Sequence, residues 1–112
     1  MENSSNVTIQ ETSDLIKKDM ELSFQEDFIS EEQLEEALAE KIYDLIQNQL
    51  ERLFSILYRL DIHEGKVHYA LKMNGLIPAH YAIARLIIAR EKQKIQSRKL
   101  YQQSKDDDVE SW

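Results

Sequence analysis

From Leu34 onward the apolar residues step three or four positions at a time, through Leu38, Ile42, Ile46, Leu50, Leu53, Leu57 and Leu60. Such steps put them on one face of a helix, which predicts an amphipathic helix over about 31–60. Leu45, Phe54, Ile56 and Tyr58 widen that face toward its C-terminal end. Ser30 with Gln33 reads as a capping box, the hydroxyl accepting one free N–H while the amide reaches back. Glu31, Glu32, Glu35 and Glu36 crowd the first turns, where the helix dipole favours negative charge. At 1.5 Å per residue this helix is about 45 Å long, more than the width of a small domain.

Asp61 reads as the cap of a shorter helix over about 62–73, with Val67, Ala70 and Leu71 on one side. Asn74-Gly75 ends it, since glycine readily takes the left-handed conformation found at helix ends. Pro78 then suits the first turn of a third helix, over about 78–103. The first half of that helix is apolar, with Ala79, Ala82, Ile83, Ala84, Leu86, Ile87 and Ile88. The second half has Ile95, Leu100 and Tyr101 among the cations Arg90, Lys92, Lys94, Arg98 and Lys99. Residues 1–29 have no continuous stripe. Leu15, Ile16, Met20 and Leu22 suggest a short helix after Ser13, but the segment reads as a mobile acidic arm. Residues 104–112 read as a disordered acidic tail.

Composition narrows the class. Two Gly and one Pro in 112 residues supply too few turns for a sandwich or barrel, which leaves an all-α domain. The absence of Cys excludes disulfides, thiolate metal sites and a cysteine nucleophile. No run approaches about 18 apolar residues, and Met-Glu-Asn-Ser-Ser-Asn is not a signal peptide, so a cytoplasmic protein without a membrane role is expected.

The charge is sorted along the chain. Residues 1–60 carry 14 acids and 5 bases, residues 61–105 carry 3 acids and 9 bases, and the last seven residues add four acids. Folding the two long helices into an antiparallel hairpin, with the short helix at the corner, sets Glu31–Glu40 beside Arg90–Lys99. The wide apolar face of the first helix then calls for a second copy, giving a dimeric helical bundle of coiled-coil type.

The run Leu57-Tyr58-Arg59-Leu60-Asp61-Ile62-His63-Glu64-Gly65-Lys66-Val67, with the later Leu86 to Ile95, resembles a pattern in small uncharacterised all-helical bacterial proteins. The resemblance covers about residues 50–101. It implies a helical domain with an Arg-x-Asp corner, and it carries over no catalytic or binding residue.

Candidate chemistry is sparse. His63 and His68, five apart, point about 140° from each other on a helix and make no shared metal pair. Glu64 and His68 supply half a site, and His80 lies beyond a loop. The corner of Arg59, Asp61 and Glu64 reads as a helix cap with an ion pair, ahead of a small-ligand site. No Ser/His/Asp ordering or Gly-rich phosphate loop is present. No enzyme activity, metal or cofactor is therefore expected. Phe24, Phe28, Ile29 and Trp112 are apolar anchors in acidic surroundings, a common way of docking on another protein. The expected function is protein–protein interaction, with itself as a homodimer and with a further protein. The alternative is a nucleic-acid accessory role through Arg90, Lys92, Lys94, Arg98 and Lys99, opposed by the net charge of −7.

Overall fold

The computed structural model describes residues 7–23, 30–72 and 77–110, which form five helices and, among the described residues, no strand. They are α1 (Ile9–Met20), α2 (Glu31–Asn48), α3 (Leu50–Arg59), α4 (Glu64–Lys72) and α5 (Ala79–Glu110). The chain is all-α. At 32 residues α5 is about 48 Å long and sets the 54 Å dimension of the molecule. Helices α1, α2 and α4 all pack on it.

Cross-helix pairs fix the directions. Glu31 meets Lys92 and Glu35 meets Arg85, while the Tyr43 ring lies 5.1 Å from that of His80. Rising numbers in α2 thus meet falling numbers in α5, and the two helices are antiparallel along the first half of α5. Glu11 meets Lys99 and Asp19 meets Lys94, so α1 is antiparallel to the second half.

The single helix expected over 31–60 is instead two. The backbone breaks at Gln49, with φ −147° and ψ 59°. Its N–H still donates to the Leu45 carbonyl at 2.7 Å, and its own carbonyl accepts from Leu53 at 3.2 Å. Continued straight, Leu60 would lie about 18 Å beyond the end of α2. Instead its carbonyl accepts from Arg90 Nε at 2.8 Å, so α3 has turned back toward the middle of α5. The turn brings Leu53, Ile56, Leu57 and Leu60 into the core, which a straight helix would have carried past it.

That core joins Leu34, Leu38, Ile42 and these four to Val67, Ile83 and Ile87. Leu71 and Leu86 pack partly against it, and Phe54, expected inside, is exposed.

Both chain ends differ from expectation. Residues 1–29 are not uniformly a mobile arm, because α1 buries Thr12, Ser13, Leu15, Ile16 and Met20. Thr8 caps it with a full capping box, its hydroxyl accepting from the Glu11 N–H at 3.0 Å while its own N–H donates to Glu11 Oε1. Helix α5 also runs through residues 104–110, past its expected end at 103 and into the expected disordered tail. No Gly or Pro follows Pro78, so nothing local stops the helix there. No helix among the described residues is long and apolar enough to cross a membrane.

Candidate interaction site at the α3–α4 corner

Leu50, Phe54 and Tyr58 follow one another four residues apart in α3, which sets them along a single line. All three are exposed, Tyr58 to 85%. The opposite side of the helix carries the buried Leu53, Ile56 and Leu57. An apolar ridge so turned to water departs from ordinary patterning.

The loop after α3 completes the site. Leu60 ends the helix, the Asp61 N–H donates to the Tyr58 carbonyl, and the Ile62 N–H donates to the Leu57 carbonyl. This is the Schellman arrangement, with its usual apolar contact between Ile62 and Leu57 positions. Asp61 occupies the left-handed residue, at φ 63°, where glycine is commoner. It does not cap α4 as expected. That role falls to His63, whose Nδ1 accepts from the Gly65 N–H at 2.9 Å. A side chain on Gly65 would meet the same imidazole at 3.1 Å.

Between α3 and α4 these pieces enclose a groove of about 550 Å³. Phe54, Leu57, Tyr58, Ile62 and Val67 form its apolar walls, with His63, Glu64 and His68 along the polar side. Such a lining holds an apolar side chain and offers a few hydrogen bonds at its edge. It brings no nucleophile beside a base.

The other candidates sit elsewhere. Asp61 meets Arg90 at 3.7 Å, so the corner charge pairs with α5. His80 stacks edge-on against Tyr43, away from His63 and His68. No group of three metal-ligating side chains gathers among the described residues. Of the cations named for phosphate contact, Lys92 donates to Glu31, Lys94 to Asp19 and Lys99 to Glu11, while Arg90 donates to the Leu60 carbonyl and Gln93. Arg98 is exposed. Phe24, Phe28, Ile29 and Trp112 lie outside the described residues.

The sequence reading missed one cluster altogether. Glu91 of α5 is wholly buried, with 0% exposure, and neither carboxyl oxygen accepts a hydrogen bond. Lys94 Nζ lies 3.2 Å from it but is directed at Asp19 of α1, 2.8 Å away. Burial pushes the Glu91 carboxyl up to about 7, and the neighbouring Asp19 carboxylate raises it further against the pull of Lys94. Burial also opposes the charge on Asp19, yet Lys94 outweighs it and holds that carboxyl below its usual value. Lys94 in turn is raised, its burial more than offset by Asp19 and Glu91. A Glu in register with Ile87, Ile88 and Ile95 was the available signal, since those neighbours face inward.

The chain matches no family model, no curated protein and no solved structure.

Proposed function

We propose that this is a non-catalytic cytoplasmic protein that works by binding other proteins at the α3–α4 corner. The observation that carries the reading is the line of Leu50, Phe54 and Tyr58, exposed beside an apolar groove. Exposed aromatic side chains that flank a groove serve well as interface anchors, since they bury a large area with few torsions to fix. The expected dimeric bundle belongs here, with a second copy as one of the proteins bound. Against the nucleic-acid alternative weighs the engagement of Arg90, Lys92, Lys94 and Lys99 within the chain. Cations already paired release few counterions on meeting phosphate.

Exposed positions allow a clean test. Tyr58→Asp and Phe54→Asp leave the buried face of α3 intact, so melting should stay close to wild type. Sedimentation velocity and quantitative co-purification from the native cell are then compared across the variants. Loss of self-association or of a reproducible partner, at unchanged melting, supports the reading. Identical association in all three proteins rules out this corner.

A further inference from the structure

Three groups with two negative charges and one positive meet where α1 lies on α5. Asp19 comes from α1, and Glu91 and Lys94 come from α5. Around them, Lys18 of α1 acts on Asp19. The charged groups that α2 sets against α5 are engaged elsewhere, Glu31 by Lys92 and Glu35 by Arg85. Asp61, before α4, meets Arg90. One ammonium therefore serves two carboxylates in an enclosed space. It hydrogen-bonds to Asp19 and stands 3.2 Å from Glu91, whose oxygens accept no hydrogen bond, so Glu91 is the less compensated of the two. Ionising a carboxyl so enclosed costs more than ionising it in water.

We infer that α1 is a proton-gated latch, docked on α5 while Glu91 is protonated and released as Glu91 ionises. Docked, Ile16 and Met20 are fully enclosed and join the main core. Their enclosure holds the latch shut, and Glu91 without its proton works against it. Release admits water to Glu91, frees Asp19 and Lys94 from one another, and uncovers the apolar surface beneath Ile16 and Met20. The proton leaves Glu91 for solvent as α1 departs. The device is separate from the α3–α4 corner, and neither reading needs the other.

The direction with pH follows from linkage. Glu91 has a higher affinity for its proton docked, at about 7, than in water, at 4.5. Docking is therefore favoured fully below pH 4.5, and the advantage is lost as pH rises toward 7. Tenfold per unit across that interval shifts the docking equilibrium by up to roughly 300-fold.

Hydrogen exchange of the full chain, converted to protection factors to remove the intrinsic pH effect, reads this at α1. Between pH 5 and pH 8 the protection of residues 12–20 should fall by ten- to a hundredfold, while that of α2 stays higher. In Glu91→Gln, whose amide never ionises, the α1 protection should no longer vary with pH. As a check that needs no variant, the Glu91 side-chain carbon shift should titrate near pH 7. The inference is overturned if Glu91 titrates below pH 5.5, or if α1 and α2 lose protection together. It is overturned equally if Glu91→Gln folds and keeps the wild-type pH dependence.

Discussion

Lys94 of α5 holds the Asp19 carboxylate of α1 at 2.8 Å, across 75 residues of sequence. Both side chains are about one-fifth exposed, so salt and water screen them less than a surface pair. Glu31 and Lys92 lie at the same 2.8 Å but with 49% and 40% of their side chains exposed. Equal distances thus conceal unequal contacts. Double-mutant cycles should separate them, with a coupling of about 1–2 kcal/mol for Asp19 with Lys94 and no more than about 0.5 kcal/mol for Glu31 with Lys92. Equal couplings would mean that α1 is not seated as described.

At pH 5.5, where the latch is docked, burial makes α1 part of the domain, and the two measurements that follow belong at that pH. Ile16 is fully enclosed and belongs to the main core, so Ile16→Ala should cost about 2–5 kcal/mol by urea unfolding. Phe54→Ala, on the exposed ridge, should change stability by less than about 1 kcal/mol. Removing residues 1–23 should lower the melting temperature of what remains. A truncated chain that melts like the full one would return α1 to the status of an arm.

What could be read in the sequence follows the strength of periodicity. Leu34, Leu38 and Ile42 recur over enough turns to specify a buried face, and they are buried. The break at Gln49 has no such signal, because neither Gly nor Pro marks it. It arises from the demand that Leu53 to Leu60 reach the same core, a tertiary effect invisible in local spacing. Helix α1 was legible and undervalued. Thr8 and Glu11 repeat the Ser30–Gln33 pattern, but acidic surroundings masked it. The sorted charge was real, and of its expected partners Glu31 and Lys92 do meet, while Glu35, Lys94 and Lys99 pair elsewhere. Lys94 and Lys99 are neutralised by α1, and of the acids in α2 Glu31 takes Lys92 and Glu35 takes Arg85. The exposed ridge of α3 was hidden by the broad apolar face predicted for one long helix, on which Phe54 reads as core.

Among the described residues, two hold left-handed backbone without being glycine, Glu21 at φ 55° and Asp61 at φ 63°. Each follows a helix end whose geometry glycine satisfies without a Cβ clash. Glu21→Gly and Asp61→Gly should therefore each be neutral or stabilising by up to about 1 kcal/mol, despite the greater freedom glycine gives the unfolded chain. Asp61→Val should be clearly destabilising, since a branched side chain is worse in that region. Thermal melts of the three variants suffice. A destabilised Asp61→Gly would show that the weak contact to Arg90, at 3.7 Å, contributes more than its exposure suggests.

The acid side of the pH profile depends on different groups from the latch. Glu11 is held below 4.5, first by the Thr8 N–H and then by Lys99, and Asp19 is held below 3.8 by Lys94 in spite of its burial. A lowered carboxyl binds its proton less readily when folded, so its stabilisation is present above the unfolded value and lost as pH falls through the folded one. Glu91 has the opposite sign, its stabilisation complete below 4.5 and lost toward 7. Stability should accordingly be greatest near pH 4.5 and decline on both sides. Urea unfolding at pH 3, 5.5 and 8 tests the shape. Asp19→Asn should make the acid limb shallower, leaving only the Glu11 share, because its amide has no charge to lose, and should leave the protein less stable at pH 5.5. Glu91→Gln should flatten only the alkaline limb. Were stability to rise steadily from pH 5.5 to 8 in the wild type, Glu91 would have to be ionised in the folded chain, and it could not be enclosed beside Lys94.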